Sequence, residues 1–411
     1  MQASKLLTLL CLTYSFTVFA SETPNSLERY LSHEKQKEFH FDYQKNEAEA
    51  SKLHDSWIAP IKINYNYSRS KPYAHEQYSE SAAIKMTQPI FKSGGIYYGI
   101  KYANASKIYS DYSVDVAKRK MIKDTIALLM QIAQTDLKLE KQKLKIQNSD
   151  INLLQKKEQY LSGQLDSGFL DDAIIQRNSI KQALYDIQTA KEKLITQFET
   201  LSDLDYKTLT IPHLELISNE EFIQHNIVLD KTRAEIEKNR YYKNVTIAKY
   251  LPTVNFTAGY NWTKTAGQGF VTNGQFIDTS NELHYYDYGL SASLALDINT
   301  LRDIESAKVD YLKSQIVAKD KERELNSLFE QVMNNIKNFD KKIVLSQENA
   351  TLYTKLLKDT QALYKAGYKT EYDVETLSNS LKIQQIDSQI FTIDKQIELL
   401  SLYEMYVNNG K

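Results

Sequence analysis

The chain has 411 residues, with 51 Lys plus Arg against 52 Asp plus Glu and a formal net charge of -1. This balance gives no basic surface for polyanions, so we expect no nucleic-acid partner. Its 12 Gly and 6 Pro are far fewer than average usage, which favours very long helices over a many-element globular domain. A hydrophobic content of 42% excludes simple disorder.

The first twenty residues have the pattern of a secretory signal peptide. Lys5 precedes an apolar run that ends in a small residue, which is the order of features in a cleaved signal. We therefore predict that residues 1–20 are a signal peptide and that the mature chain begins near Ser21. Cys11 lies inside the apolar run, so the mature chain has no cysteine for a disulfide or a thiolate metal site.

The sequence contains no recognisable catalytic or metal-binding motif. It has no Gly-rich phosphate loop, no Gly-x-Ser-x-Gly elbow and, in the mature chain, no Cys nucleophile. The seven histidines include no pair at the spacing of three or four residues that a helical metal site uses. We therefore expect no enzyme activity, no cofactor and no metal.

Three segments alternate apolar and polar residues with a period of two. They begin near Ile61, Val254 and Tyr286, and a fourth segment near Ile84 alternates less cleanly. This period predicts four strands with one apolar and one polar face. The alternation alone leaves open whether the apolar face covers a soluble core or meets a membrane. Aromatic residues near the strand ends favour the membrane, because Tyr and Trp suit its interfaces. The candidate interface residues are Tyr65, Tyr67, Tyr260, Trp262, Tyr286 and Tyr288.

A sheet of four strands cannot stand alone in lipid. Its edge N–H and C=O groups would find no hydrogen-bond partners there, whereas a closed barrel has no edge. Transmembrane barrels begin at about eight strands, so several chains would have to pool their strands. Two, three and four chains all satisfy this closure argument, and the residues alone do not choose among them.

Long segments free of backbone breakers predict two helices of unusual length. Within 95–160 the one interior breaker is Gly99, and 290–366 contains none. At about 1.5 Å per residue, roughly 70 helical residues span on the order of 105 Å. Apolar and small residues follow four-three spacing through 325–364, which predicts a supercoiled partner helix.

The chain repeats one plan of helix, two strands, long helix, tight turn and returning helix. DAIIQRNSIK at 172–181 and DVETLSNSLK at 373–382 share Asp, Asn-Ser and Lys at an offset of 201. Upstream of these segments, Gly163 and Gly367 each follow a Tyr by three residues and mark the tight turns. The shorter helices, placed end to end in pairs, match one long helix. We therefore expect four near-parallel rods of equal length in each chain.

This plan resembles the outer-membrane efflux protein family, the TolC-like channels. The matching features are the strand openings Ala59-Pro60 and Leu251-Pro252, the strand-to-helix junction QPIFKSGG at 88–95, and the turns at 160–172 and 364–373. The resemblance covers essentially the whole mature chain. It implies a mainly α fold with a small β part. Long antiparallel coiled-coil helices would form an α-barrel, and two β-hairpins, four strands in all, would contribute to a trimeric 12-stranded outer-membrane β-barrel.

The resemblance also implies a location, partners and a domain order. Such a channel lies in the bacterial outer membrane, extends into the periplasm and passively conducts substrates from an inner-membrane pump and a periplasmic adaptor. Its expected partners are two further copies of the chain to complete a homotrimer, that adaptor, that pump and outer-membrane lipid. The expected segments are an N-terminal periplasmic helix at 21–56, a first β-hairpin at 57–91, a first long helical hairpin at 92–201, an equatorial linker at 202–218, a helix at 219–250, a second β-hairpin at 251–298, and a second long helical hairpin with the C-terminus at 299–411.

In this family the turns between long and returning helices form the periplasmic mouth. The resemblance implies that Asp373 faces the pore and that Asp172 is its counterpart in the first repeat. Three subunits would then present rings of carboxylates, which attract and hold cations at a constriction. Tyr364 and Lys369 fall where the family links neighbouring coils in the closed state.

The gate has an alternative interpretation. Asp172 and Asp373 would also be favourable if they only began their helices, because Asp is preferred there by capping and the helix dipole. Asp171 and Glu371 would add charge nearby, while Thr376 stands where a second acidic residue is usual in the family.

Two other functions compete with a channel. A periplasmic coiled-coil scaffold or adaptor without a pore would also contain long helices, but adaptors usually carry a Gly-rich lipoyl-like domain and no such stretch is present. A porin for nutrient uptake would leave the long helices unexplained.

Overall fold

The computed structural model describes residues 27–71, 76–267 and 269–407, so the predicted signal peptide lies outside the described residues. The helices are α1 His33–His54, α2 Gly95–Leu161, α3 Ser167–Glu199, α4 Asn219–Gln224, α5 Ile227–Lys249, α6 Thr300–Lys365 and α7 Glu371–Tyr403. The strands are β1 Lys62–Ser70, β2 Gln77–Phe91, β3 Thr253–Ala266, β4 Gly269–Thr272, β5 Gln275–Asp278 and β6 Asn281–Ser293. Short 3-10 helices at Leu27–Tyr30 and Asp55–Trp57 flank α1.

The two long helices confirm the prediction made from the absence of backbone breakers. Helix α2 contains 67 residues and α6 contains 66, so each spans about 100 Å at 1.5 Å per residue. Helices α3 and α7 contain 33 residues each and run back along the long helices. The fold is therefore mainly helical with a small antiparallel sheet, as the sequence indicates.

The helices lie side by side in one layer, which we call the helical wall. In the half nearer the sheet the order is α1, α2, α5, α6, and in the half nearer the turns it is α3, α2, α7, α6. Helices α5 and α7 thus lie end to end between the long helices, and α1 and α3 lie end to end on the other flank of α2. The four predicted rods are present.

The largest hydrophobic cluster lies at mid-height of the wall, where the shorter helices end. Phe198 at the end of α3 and Phe222 of α4 are both fully buried there. The irregular segment between α3 and α4 adds the buried Leu214 and Ile217. Leu214 N–H donates to Gln396 Oε1 at 2.7 Å, so a side chain of α7 satisfies a buried backbone group of this segment. Burial of apolar surface therefore joins all parts of the wall at this level.

The main sheet is antiparallel, with the order β1-β2-β3-β6. Residues directly opposite each other lie on the same face, so each register position is a row that crosses four strands. One such row places Tyr65 opposite Ala82, Ala82 opposite Trp262, and Trp262 opposite His284. Strands β4 and β5 form a separate small hairpin between β3 and β6, which the sequence analysis did not predict.

The two faces of this sheet differ in the predicted way. The apolar face carries Ile63, Tyr65, Tyr67, Ala82, Ile84, Met86, Phe256, Ala258, Tyr260, Trp262, Tyr286, Tyr288 and Leu290. The polar face is mostly Ser, Thr and Asn. Ile63 is 77% exposed and Tyr286 is 75% exposed, so no core covers the apolar face in one chain. The alternative of a sheet lying on a soluble core is therefore wrong.

Both outer strands of this sheet are open edges. Within the described residues, β1 pairs with β2 alone and β6 pairs with β3 alone. The edge of β1 stands above α1 and α3, and the edge of β6 stands above α6, because sheet and wall follow the same order. One chain is therefore a continuous strip, formed by the sheet and the helical wall, with an open strand edge on each side.

The junction between β2 and α2 explains the residues of the QPIFKSGG motif at 88–95. Ser93 and Gly94 take positive φ angles of 46° and 86°, which turn the chain sharply into α2. The amide of Gln88 accepts a hydrogen bond from Ala59 N–H at 2.9 Å. Ser93 Oγ donates to Pro252 O at 2.7 Å. The motif therefore connects the segments that lead into β1 and β3, which contain Pro60 and Pro252.

The second junction lacks the paired glycines and uses a different turn. Asp297 O accepts from Thr300 N–H at 3.1 Å, and Asp297 Oδ1 accepts from Asn299 N–H at 2.8 Å. An Asp side chain thus supports this turn without a residue at positive φ. The strand before it ends at Ser293 although the alternation continues to Ile298. Pro252 precedes the partner strand and cannot donate, so the ladder stops there.

The predicted helix at 219–250 is interrupted. His225 and Asn226 separate α4 from α5, and Asn226 Oδ1 caps α5 by accepting from Val228 N–H at 3.0 Å. Backbone bonds to the chain segment after α7 hold the break: Ile227 N–H donates to Met405 O at 2.9 Å. Tertiary hydrogen bonds outweigh helix continuity at this point.

Candidate functional site

The two helix-to-helix turns have one backbone plan. Gly163 and Gly367 occupy the left-handed region with φ of 74° and 79°, where a side chain would be strained. Their N–H groups donate to the carbonyls of Tyr160 at 3.0 Å and Tyr364 at 2.9 Å. The next residue in each turn closes a second bond over five residues, which completes the glycine-based helix stop. The predicted turn glycines therefore lie where the chain reverses.

The returning helices begin with different caps. Asp166 caps α3, and its side chain accepts from Gly168 N–H at 2.8 Å. Thr370 caps α7 and forms a reciprocal capping box with Asp373. Thr370 N–H donates to Asp373 Oδ2 at 3.0 Å, and Asp373 N–H donates to Thr370 Oγ1 at 3.3 Å. Asp373 therefore has the capping role considered above.

Asp172 does not have that role. It lies six residues after the cap Asp166 and is exposed on the second turn of α3. The alternative that Asp172 begins its helix is therefore wrong, because the chain reaches helical geometry earlier, at Ser167.

Equivalent residues of the two helical hairpins differ by 204 in residue number. The repeated ten-residue motif has an offset of 201, so its two copies differ by three residues in their position within the hairpins. Gly163 matches Gly367, and α3 matches α7 at both ends under the offset of 204. Asp373 is then level with Phe169 rather than with Asp172, and Asp172 is level with Thr376. The expected equivalence of Asp172 and Asp373 is therefore not found in the structure.

Hydrogen bonds and charge keep Asp373 ionised. The Thr370 backbone N–H, the Thr370 hydroxyl and the nearby Lys369 ammonium together hold the pKa of Asp373 below its usual range. The carboxylate is accordingly a stable negative charge at the turn. Since the pKa is depressed, protonation of this group requires a pH below the ordinary Asp range.

The remaining gate candidates lie around the same turns. Tyr364 is 44% exposed in the last turn of α6, and Lys369 lies in the turn between α6 and α7. Asp171 and Glu371 are exposed, near the start of α3 and α7 respectively. In the part of the chain that the structure describes, none of these four residues forms an ion pair within one subunit. Their polar groups are therefore open to solvent or to another chain.

Side-chain hydrogen bonds between the two helical hairpins were not predicted from the sequence. Gln134, Lys141 and Asn148 of α2 bond to Asp394, Asp387 and Asn379 of α7, respectively. The α2 members recur every seven residues, so a heptad reading of polar positions would have found them. Beyond Asn148, no side-chain bond joins α2 to α7 among the described residues. The last 13 residues of α2, about 20 Å of helix next to the turn, therefore form no side-chain hydrogen bond with α7 among the described residues.

The six predicted interface aromatics all lie on the apolar face. Tyr65, Tyr67, Tyr260, Tyr286 and Tyr288 are each more than half exposed, and Trp262 is half-buried. Trp262 Nε1 donates to Glu282 Oε1 at 2.8 Å, so its polar atom points towards the end of the sheet that is farther from the helices. This arrangement of apolar body and polar tip suits a membrane interface.

The apolar face has the length of a membrane-crossing strand. On β3 it runs from Val254 to Trp262, about 27 Å at 3.4 Å per residue. The next row on this face is charged, with Lys264 opposite both Glu80 and Glu282. Transmembrane strands need about 9–11 residues, with aromatics at the interfaces, so this pattern fits a bilayer.

No described helix is both long and apolar enough to span a membrane. No three His, Cys, Asp or Glu side chains of the described chain are grouped so that they would hold a metal ion.

Residues 220–406 match the family model described as outer membrane efflux protein. No curated protein matches the sequence. Among solved structures, the outer membrane protein VceC from Vibrio cholerae has a TM-score of 0.70 at 14% identity, over 93% of this chain and 96% of its own. The CmeC outer membrane channel of Campylobacter jejuni has a TM-score of 0.70 at 12% identity, over 92% and 84%. The open-state MtrE outer membrane channel of Neisseria gonorrhoeae has a TM-score of 0.60 at 13% identity, over 92% and 87%.

The solved structures and the family model support different conclusions. Identities this low establish a shared fold alone, and that fold extends over nearly the whole chain. The family match covers residues 220–406, somewhat less than half of the chain, and agrees there with the resemblance stated from the sequence.

Proposed function

We propose that this chain, whose residues 220–406 match the outer membrane efflux protein model, is one third of a homotrimeric duct that conducts substrates passively across the outer membrane. The observation that carries the proposal is the pair of unpaired sheet edges beside an exposed apolar face. In hydrocarbon each unpaired edge group is costly, and closure removes the edge altogether. Three chains supply twelve strands, enough for a barrel.

The helical wall supports the same closure. Helix α6 runs along one side of the strip below β6, and α1 and α3 run along the other side below β1. Along α6, apolar side chains stay exposed in one chain, including Leu301 at 80% and Ile316 at 64%. When the β6 and α6 side of one chain meets the β1, α1 and α3 side of the next, the contact is head to tail and can generate a closed ring. Each neighbouring chain then covers the open strand edge and the exposed helix together.

The turns are the proposed periplasmic mouth. Closure would bring three copies of Asp373 around one axis, with Asp172, Asp171 and Glu371 adding charge and Tyr364 and Lys369 reaching neighbouring coils. Among the described residues, no side-chain hydrogen bond joins α2 to α7 beyond Asn148, which supports a mouth that opens by separation of the hairpin ends. A periplasmic adaptor at this end and an inner-membrane pump would deliver the substrate, and the duct itself performs no chemistry.

The scaffold alternative is weaker because of the sheet. A periplasmic adaptor without a pore has no use for an exposed apolar face of membrane-spanning length bordered by Tyr and Trp. Such a face in water would instead promote aggregation.

The experiment is single-channel recording of the purified protein in planar lipid bilayers. We expect conducting channels, and we expect millimolar divalent cations to reduce the current because they bind the ring of Asp373 carboxylates. Asp373→Asn keeps an oxygen for the Thr370 N–H but removes three charges from the mouth. Divalent block should therefore weaken about tenfold in this variant.

The divalent block should depend on pH in a direction that the pKa shift of Asp373 sets. Because the pKa of Asp373 is depressed, block should persist as the pH is lowered to about 4 and disappear only below it. Thr370→Ala is the matched control, since it removes the capping hydroxyl and leaves the carboxylate. Block that is unchanged in Asp373→Asn, or lost to the same extent in Thr370→Ala, would contradict a pore-lining role.

A further inference from the structure

The charges on the polar face of the main sheet are confined to one level. In the four strands this face has three charged residues, which are Lys62 on β1, Lys85 on β2 and Asp287 on β6. The register places all three in a single row: Lys62 is opposite Lys85, Lys85 is opposite Gly259, and Gly259 is opposite Asp287. We call these three charged residues the charged row.

Gly259 makes room within this row for Asp287. A Cβ atom at position 259 would lie 2.8 Å from Asp287 Oδ1, closer than a real contact. The Asp287 side chain therefore lies across β3, where Asn261 Nδ2 donates to its Oδ1 at 2.5 Å. The carboxylate is held by a neutral amide, and no ammonium group of the described residues forms an ion pair with it.

The two ammonium groups have no partner in the part of the chain that the structure describes. Lys62 and Lys85 are exposed, and neither forms a hydrogen bond or an ion pair within the described residues. Two ammonium groups and one carboxylate give the row a net charge of +1 in each chain. Repeated three times, the row contains six ammonium groups and three carboxylates, a net charge of +3.

The remaining charged residues of these strands lie on the other face and at another height. Arg69, Glu80, Lys264 and Glu282 belong to the apolar face, at the end of the sheet farther from the helices. Asp287 lies six residues before the end of β6, about 20 Å from the helical end of the sheet. The charged row is therefore a distinct band inside the strand region.

We propose that the charged row is an anion-attracting band, which makes the barrel part of the duct favour anionic solutes such as chloride, carboxylates and phosphate esters. This proposal rests on the proposed function, because only closure of three sheets turns the polar face into a lumen. The principle is that of other selectivity rings, in which lysines that line a pore raise the local concentration of anions. It is separate from the acidic mouth at the opposite end of the chain.

The test is the reversal potential of single channels under a potassium chloride gradient. The double variant Lys62→Gln, Lys85→Gln should lower the chloride-to-potassium permeability ratio about threefold, because six positive charges are lost. Asp287→Asn should raise the ratio, since it removes three negative charges from the same band. Lys264→Gln is the matched control: it removes a lysine from the apolar face of the same sheet and should leave the ratio unchanged.

Three outcomes would overturn the inference. The first is a ratio that stays the same in the double variant while the channels still conduct. The second is an equal change in Lys264→Gln, which would show that the effect comes from lysines in general. The third is wild-type protein that forms no channels at all, which rejects the duct together with the inference, whereas the first two reject the inference alone.

Discussion

Ala258→Arg is expected to abolish most assembly of the protein in the membrane. Ala258 is the central residue of the apolar stretch of β3 and lies between Met86 and Tyr288 in its row. A charged guanidinium on the lipid face near the bilayer midplane costs about 2–4 kcal/mol. Since each 1.4 kcal/mol is about tenfold, the amount of folded protein in purified outer membranes should fall more than tenfold.

The neighbouring position gives a matched control. Thr257 is one residue earlier on β3 and therefore lies on the polar face, opposite Thr87. In the proposed duct, Thr257→Arg places the same side chain in the lumen, where water solvates it, so the variant should assemble at close to the wild-type level. Equal loss in both variants would mean that β3 tolerates no arginine for reasons of strand formation, and equal tolerance would contradict a lipid-facing apolar surface.

Phe198→Ala is expected to cause the largest loss of stability in the helical wall. Phe198 is fully buried in the mid-height cluster, where α3 ends against the irregular segment that leads to α4. Truncation of a buried Phe costs about 3–5 kcal/mol, through lost burial and the cavity left behind. Urea unfolding of the detergent-solubilised protein, followed by circular dichroism, measures the change.

Leu216→Ala is the control for that measurement. Leu216 lies in the segment that packs against the cluster, but its side chain is 57% exposed, while the next residue, Ile217, is buried. Its truncation should change the free energy of unfolding by less than about 0.5 kcal/mol. A small effect of Phe198→Ala would instead place the stability of the wall outside this cluster.

Much of the fold could be predicted from local chemistry. The long helices follow from the absence of Pro and the near absence of Gly, and the sheet faces follow from strict alternation of side chains. Gly163 and Gly367 could be recognised because a helix stop of this type needs a residue at positive φ. These features depend on residues close together in the chain, which the sequence displays directly.

The three-residue difference between motif and structure could not be predicted in the same way. DAIIQRNSIK and DVETLSNSLK look equivalent, yet the turns that precede them are matched by their hydrogen bonds at another offset. A helix accepts similar residues at many positions along its surface, so sequence similarity within it does not fix the start. The cap and the glycine fix the start, and these place Asp172 one turn later than expected.

Long-range bonds account for the other differences. The break at His225 and Asn226 depends on contact with Met405, which is about 180 residues away in the chain. The end of β6 at Ser293 depends on the Pro before its partner strand. A continuing local pattern, such as the apolar alternation up to Ile298, carries no information about where the partner ends.

The charged row was also beyond the reach of the sequence. Lys62, Lys85 and Asp287 come from three strands, and no two of them lie close together in the chain. Pairing of the strands brings them to one level, and an error of one residue in any register would move a charge to the opposite face. The row is therefore a property of the assembled sheet.

The central claim is that one chain is an incomplete strip whose open edges are covered by two further copies of itself. The most direct test is the native mass of the detergent-solubilised particle, measured by mass spectrometry after removal of the detergent micelle. A single species of three chains is the result that the open edges and the exposed apolar face predict. A stable monomer that remains soluble and folded without detergent would contradict the claim, because its edges and aromatic face would then need no partner.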